Sequence, residues 1–89
     1  MEAHLRIYIH LGEPLWRTAG VKELSLELAA PATVSSALAA LEARLPALWS
    51  DLEEAEIPPT VFLGEEIATP ETPLTDGDRL LLVWALAGG

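Results

Sequence analysis

The chain has no cysteine and few bases: five Lys and Arg stand against fourteen Asp and Glu, for a net charge of −9 over 89 residues. Without cysteine there is no disulfide framework, no thiolate metal site and no cysteine nucleophile, and a reducing compartment fits. Scarce positive charge argues against nucleic acid, whose phosphates need Lys and Arg to displace counterions. It argues equally against anionic membrane surfaces. Either the acidity steers a basic protein partner or it keeps a small apolar domain soluble.

Long hydrophobic runs are missing too. The longest, Leu80–Ala87, falls far short of the ~20 residues a membrane span needs. Met1-Glu2-Ala3-His4 lacks the basic and apolar regions of a secretory leader. There are no internal repeats, linkers or low-complexity segments. The expectation is a soluble, cytoplasmic protein. His4 and His10 stand alone, with no metal-ligand spacing around them. Ser35 and Ser36 have no base signature beside them and read as helix-start residues, not nucleophiles.

What is present is apolar patterning, in 51% of residues. In Leu5–Leu11, Leu5, Ile7, Ile9 and Leu11 alternate with Arg6, Tyr8 and His10, the pattern of a half-buried strand. Glu23–Leu28 repeats it with Leu24, Leu26 and Leu28 inward. Gly12–Gly20 between them reads as a nine-residue loop carrying Trp16. From Thr33 the period changes. Thr33 is a plausible N-cap, and Val34, Leu38, Leu41 and Leu45 form one helical stripe. Pro46 is expected to end or kink that helix, and Ala47–Pro59 reads as a mixed connector with one or two further helical turns. Thr60–Leu63 is a short strand, Gly64-Glu65-Glu66 a turn and Ile67 a return. A sharp turn at Asp76-Gly77 precedes a final strand from Arg79 to Trp84. One sheet and one helix leave the helix covering a single face. The element order predicts an α+β, ubiquitin-like β-grasp: a mixed sheet of about five strands with one main helix, the first and last strands parallel at its centre. It forms one domain over 1–89 with a flexible tail at about 85–89.

Several pieces of the chain together resemble the MoaD/ThiS family of sulfur carriers. Ala32-Thr33-Val34 opens the helix, Pro73-Leu74-Thr75-Asp76-Gly77-Asp78 precedes the last strand, and Gly88-Gly89 closes the chain. Its length and the segment after the helix look more like the small subunit of molybdopterin synthase than the shorter thiamin-synthesis carriers. It departs from that pattern in having Trp84-Ala85-Leu86-Ala87 before the glycines, and Leu63-Gly64-Glu65 after the third strand, where many members have Asn-Gly. The resemblance implies that the Gly89 carboxylate is adenylated and then thiocarboxylated, with Gly88 keeping the tail thin enough to thread a partner's channel. Expected partners are an ATP-dependent adenylating enzyme, a persulfide sulfur donor and the molybdopterin synthase large subunit. The resemblance also implies that this chain holds no cofactor, ATP being used by the activating partner, and that the catalytic groups belong to the partners. Thiamin, tRNA thiolation or another metabolite are alternative destinations. A non-catalytic ubiquitin-like interaction module is the reading from a different class.

Alternation in the last strand sends Leu80 and Leu82 toward the helix and Leu81 and Val83 to the open face, where Phe62 joins them, out of phase with Val61 and Leu63. An exposed apolar patch of this kind marks a partner site; a central strand buried on both faces is the alternative. Trp84 either anchors docking or caps the core, and Leu86 and Ala87 extend the contact into the tail. The acidic run Asp51, Glu53, Glu54 and Glu56 reads as a solvated face or as a match for a basic groove.

Overall fold

The computed structural model describes residues 3–13, 15–55 and 59–83. Its elements are β1 (His4–Leu11), α1 (Leu15–Ala19), β2 (Glu23–Ala29), β3 (Ala32–Thr33), α2 (Val34–Arg44), α3 (Pro46–Ala55), β4 (Thr60–Leu63), β5 (Glu66–Ile67), β6 (Pro73–Leu74) and β7 (Arg79–Val83). None of these helices is long and apolar enough to cross a membrane.

Alternation in β1 buries Ile7, Ile9 and Leu11 and exposes Arg6, Tyr8 and His10. β2 pairs antiparallel with β1, bringing Leu26 and Leu28 to the same buried side. β7 lies on the other side of β1 and runs parallel to it, with Ile9 beside Leu80 and Leu11 beside Leu82. A parallel neighbour requires a crossover, and the chain between β2 and β7 supplies it. β4 and β5 complete a five-stranded sheet in the order β2-β1-β7-β4-β5. β3 and β6 form a separate two-stranded ladder. This is the mixed sheet with a packed helix of a ubiquitin-like β-grasp.

Thr33 caps α2 through a reciprocal arrangement. Its hydroxyl accepts from the Ser36 amide while the Ser36 hydroxyl accepts from the Thr33 amide. Two amides left unpaired by the first turn are thereby satisfied. Val34, Ala37 and Leu41 of α2 then enter the core with Leu15, Leu48, Val61, Leu74, Leu80 and Leu82. The expected stripe is therefore rotated: Leu38 and Leu45 are only partly buried, and Ala37, fully buried, takes the central place.

Two segments differ from the sequence reading. Gly12–Gly20 is not a plain loop, because it contains α1. Leu15 is fully buried and pins that single turn to the core, and Gly20 closes it by donating to the Trp16 carbonyl at 2.8 Å. Pro46 does end α2, but it also opens α3, a full ten-residue helix. Proline suits the first turn of a helix, where its missing N–H has no partner to lose. Leu48 of α3 is 1% exposed, so this connector contributes to the core.

The turn into β7 is built by its own side chains. The Asp76 carboxylate accepts from the Arg6 amide at 2.7 Å, and the Asp78 carboxylate accepts from the Thr75 amide at 2.8 Å. Gly77 donates to the Arg6 carbonyl at 2.8 Å from a φ of +89°, a conformation favoured by glycine. Tyr8 donates to the Asp78 carbonyl at 2.9 Å. The Asp-Gly-Asp sequence thus locks the start of β7 against β1.

Candidate functional site

The helices cover one face of the sheet, and the other carries the candidate site. Strand register places Glu23, His10, Leu81, Phe62 and Ile67 in one row across all five strands. Residues in register share a face, so this row lies opposite the buried Leu80, Leu82 and Val61. The expected orientation of Leu81, Val83 and Phe62 is borne out, and each is half-buried. Ile67, on β5, joins them and is 69% exposed. Sequence reasoning missed Ile67 as a site residue. The available signal was the short turn at Gly64, which returns the chain so that Ile67 pairs with Phe62.

The open face has two halves. Toward β2 it is polar and paired within itself. Arg6 donates to Glu27 at 3.0 Å, and His10 Nδ1 lies 3.0 Å from a Glu23 carboxylate oxygen. The Glu27 hydrogen bond and charge raise the Arg6 pKa, holding the guanidinium more firmly charged. The Arg79 guanidinium sits 5.8 Å from the Tyr8 ring centroid. A shallow depression of ≈ 420 Å³ lies here, lined by Tyr8, Ile9, His10, Glu23, Leu24, Ser25 and Arg79. Toward β4 and β5 the face is apolar, made by Leu81, Phe62, Val83 and Ile67. Partly exposed side chains that hold no polar partner gain by removal from water, at about 25 cal/mol per Å². The arrangement suits an apolar contact with a polar rim on one side.

Val83, the last described residue of β7, lies beside Gly12. Gly12 donates to the Leu82 carbonyl at 2.8 Å, and a Cβ added to it would come within 2.8 Å of Val83 Cγ1. The absent side chain leaves room for Val83 beside the end of β1. Trp84, Leu86, Ala87, Gly88 and Gly89 follow directly in sequence and lie outside the described residues. Within the acidic run Glu54 is exposed, while Glu56 and the side chains of Asp51 and Glu53 also lie outside what is described. Among the described residues no three His, Asp or Glu gather as a metal site.

The ThiS family model matches residues 9–89. No curated protein matches. Among solved structures, SAMP1 from Haloferax volcanii is 28% identical, with a TM-score of 0.83 over 94% of this chain and 99% of that one. The solution structure of small archaeal modifier protein 1 from Methanosarcina acetivorans has a TM-score of 0.78 at 23% identity, over 98% and 99%. A putative molybdopterin converting factor subunit 1 from Pyrococcus furiosus has a TM-score of 0.77 at 16% identity, over 92% and 99%. These last two likenesses are of fold. With the match running from the middle of β1 to the final glycine, the chain belongs to the ThiS family.

Proposed function

We propose that this chain is a sulfur carrier whose Gly89 carboxylate is adenylated by an ATP-dependent partner and converted to a thiocarboxylate. The observation that carries the reading is the extent of the family match, which includes Gly88 and Gly89 together with the Asp-Gly-Asp turn. Adenylation turns a poor electrophile into a mixed anhydride. The outer sulfur of a persulfide can then displace AMP to give an acyl disulfide, and attack of a second thiol on the donor-side sulfur releases the thiocarboxylate and leaves a disulfide on the donor. Gly88 and Gly89 present no side chain to a narrow channel. The apolar half of the open face, Leu81, Phe62 and Val83 with Ile67, docks the partner, and Trp84, Leu86 and Ala87 extend that contact. The chain itself supplies the carrier terminus and the docking face. ATP and the catalytic groups belong to the partners, and the proposed setting is cytoplasmic.

The acceptor proposed first is the large subunit of molybdopterin synthase, on the strength of the segment following α2. Thiamin or tRNA thiolation are other destinations for the same terminus. A second reading follows from the 28% likeness to SAMP1: the activated Gly89 carbonyl is captured by an amine of another protein, making the chain a modifier. Both readings need an activated Gly89. Appending one alanine after Gly89 tests that shared step. The expected result is loss of ATP–pyrophosphate exchange by the cognate adenylating enzyme with an unchanged melting temperature. Exchange at the unaltered rate would overturn the proposal.

A further inference from the structure

The open face accounts for one side of the molecule, but not for α1. This helix was not expected, and it carries one of the chain's few aromatics to the sheet end where β7 runs out. The placement follows from the ladder. Leu11 donates to the Lys22 carbonyl at 2.8 Å and lies in register with Leu82. Lys22 is thus two strands from β7, about 10 Å at ordinary strand spacing. Trp16 donates from its amide to the Gly12 carbonyl at 3.2 Å, and Gly12 is bonded to Leu82. Trp16, Lys22 and the end of β7 therefore belong to one end of the domain.

At that end two cations lie near one indole, which is half-buried against the core. The Lys22 ammonium is 4.7 Å from the Trp16 ring centroid and the Arg17 guanidinium 5.2 Å. Arg17 is also tied to Glu13 at 3.1 Å, whereas Lys22, the chain's one lysine, makes no ion pair among the described residues. In a chain with fourteen acids, a lysine left on an aromatic face still has its charge to offer. Val21 beside it is 41% exposed. Trp16 and Arg17 are of residue types enriched at binding hot spots, and Lys22 adds an exposed positive charge beside them.

We propose that Trp16, Arg17 and Lys22 form a second contact surface for the enzyme that activates the tail, and that the enzyme surface meeting it is acidic. This rests on the carrier reading. A tail entering a channel brings the end of the domain from which it departs against the channel mouth. The cations there meet carboxylates on the rim, while the apolar face makes its separate contact. Charge complementarity at a rim acts on encounter and register, so it appears in the carrier concentration needed for half-saturation and not in the chemical step.

The test is ATP–pyrophosphate exchange by the cognate adenylating enzyme, with the full chain titrated at low and high salt. Lys22→Gln is compared with Ala29→Glu, which changes the net charge equally at the opposite end of β2. Lys22→Gln is expected to raise the half-saturating carrier concentration roughly threefold to tenfold at low salt, with an unchanged maximal rate and a smaller effect at high salt. Ala29→Glu is expected to change it less than about twofold. Equal effects of the two substitutions, or none from Lys22→Gln, would overturn this proposal while leaving the carrier reading intact. Absence of exchange with the unaltered chain would overturn both.

Discussion

Gly12 and Val83 share a space that one side chain fills: a Cβ on Gly12 would stand 2.8 Å from Val83 Cγ1. The backbone cannot retreat freely, because the Gly12 amide is bonded to the Leu82 carbonyl. Gly12→Ala should therefore cost about 1–3 kcal/mol through overpacking. Val83→Ala in the same chain should recover part of that loss. Urea unfolding of the two single variants and the double variant measures the coupling, and strictly additive losses would contradict the contact.

Neighbouring residues of β7 should behave oppositely. Leu82 is fully buried, and Leu82→Ala should cost about 2–5 kcal/mol in unfolding free energy. Leu81, on the open face, should cost less when replaced by Ala, yet weaken partner binding. Denaturation and a binding titration on both variants separate the two roles. Equal stability losses would show that both faces of β7 are packed alike.

Ile67 tests the apolar half of the open face without touching the core. It is 69% exposed, so Ile67→Asp should change stability by no more than about 0.5 kcal/mol. It should nevertheless reduce partner affinity, since a carboxylate would be desolvated beside Phe62 on association. Calorimetric titration against the cognate partner reads this directly.

The turn before β7 should contribute measurably. Asp76→Ala removes the acceptor of the Arg6 amide, for an expected loss of about 1 kcal/mol. Amide hydrogen exchange at Arg6 should accelerate, while exchange at Ile9, deep in the ladder, should change only with global stability.

The legible parts of this fold were those in which one local rule dominated. Alternation fixed the faces of β1 and β7, and the phase of Phe62 against Val61 was readable for the same reason. Thr33 was readable as a cap because hydroxyl capping is local. The Asp-Gly turn was readable because Gly77 takes a conformation favoured by glycine. The remainder depended on tertiary contacts. α1 is five residues long and is held by burial of Leu15, which no period within Gly12–Gly20 announces. Pro46 carries two meanings, end of one helix and first turn of the next, and burial of Leu48 decides for the second as well. Ala37 is fully buried while the larger Leu38 is only partly so, because the face of α2 that meets the sheet is set by tertiary packing and not by side-chain hydrophobicity alone. Ile67 was hidden because its face depends on strand pairing with Phe62.

The carrier account turns on the chemistry of Gly89. The most direct measurement is the intact mass of the untagged chain after incubation with ATP, its cognate adenylating enzyme, a persulfide sulfur donor and a thiol reductant. The predicted result is the mass change for exchange of one carboxylate oxygen for sulfur, localised by fragmentation to Gly89 and absent without ATP. An unmodified terminus, under conditions in which the same enzyme preparation is demonstrably active, would contradict the account.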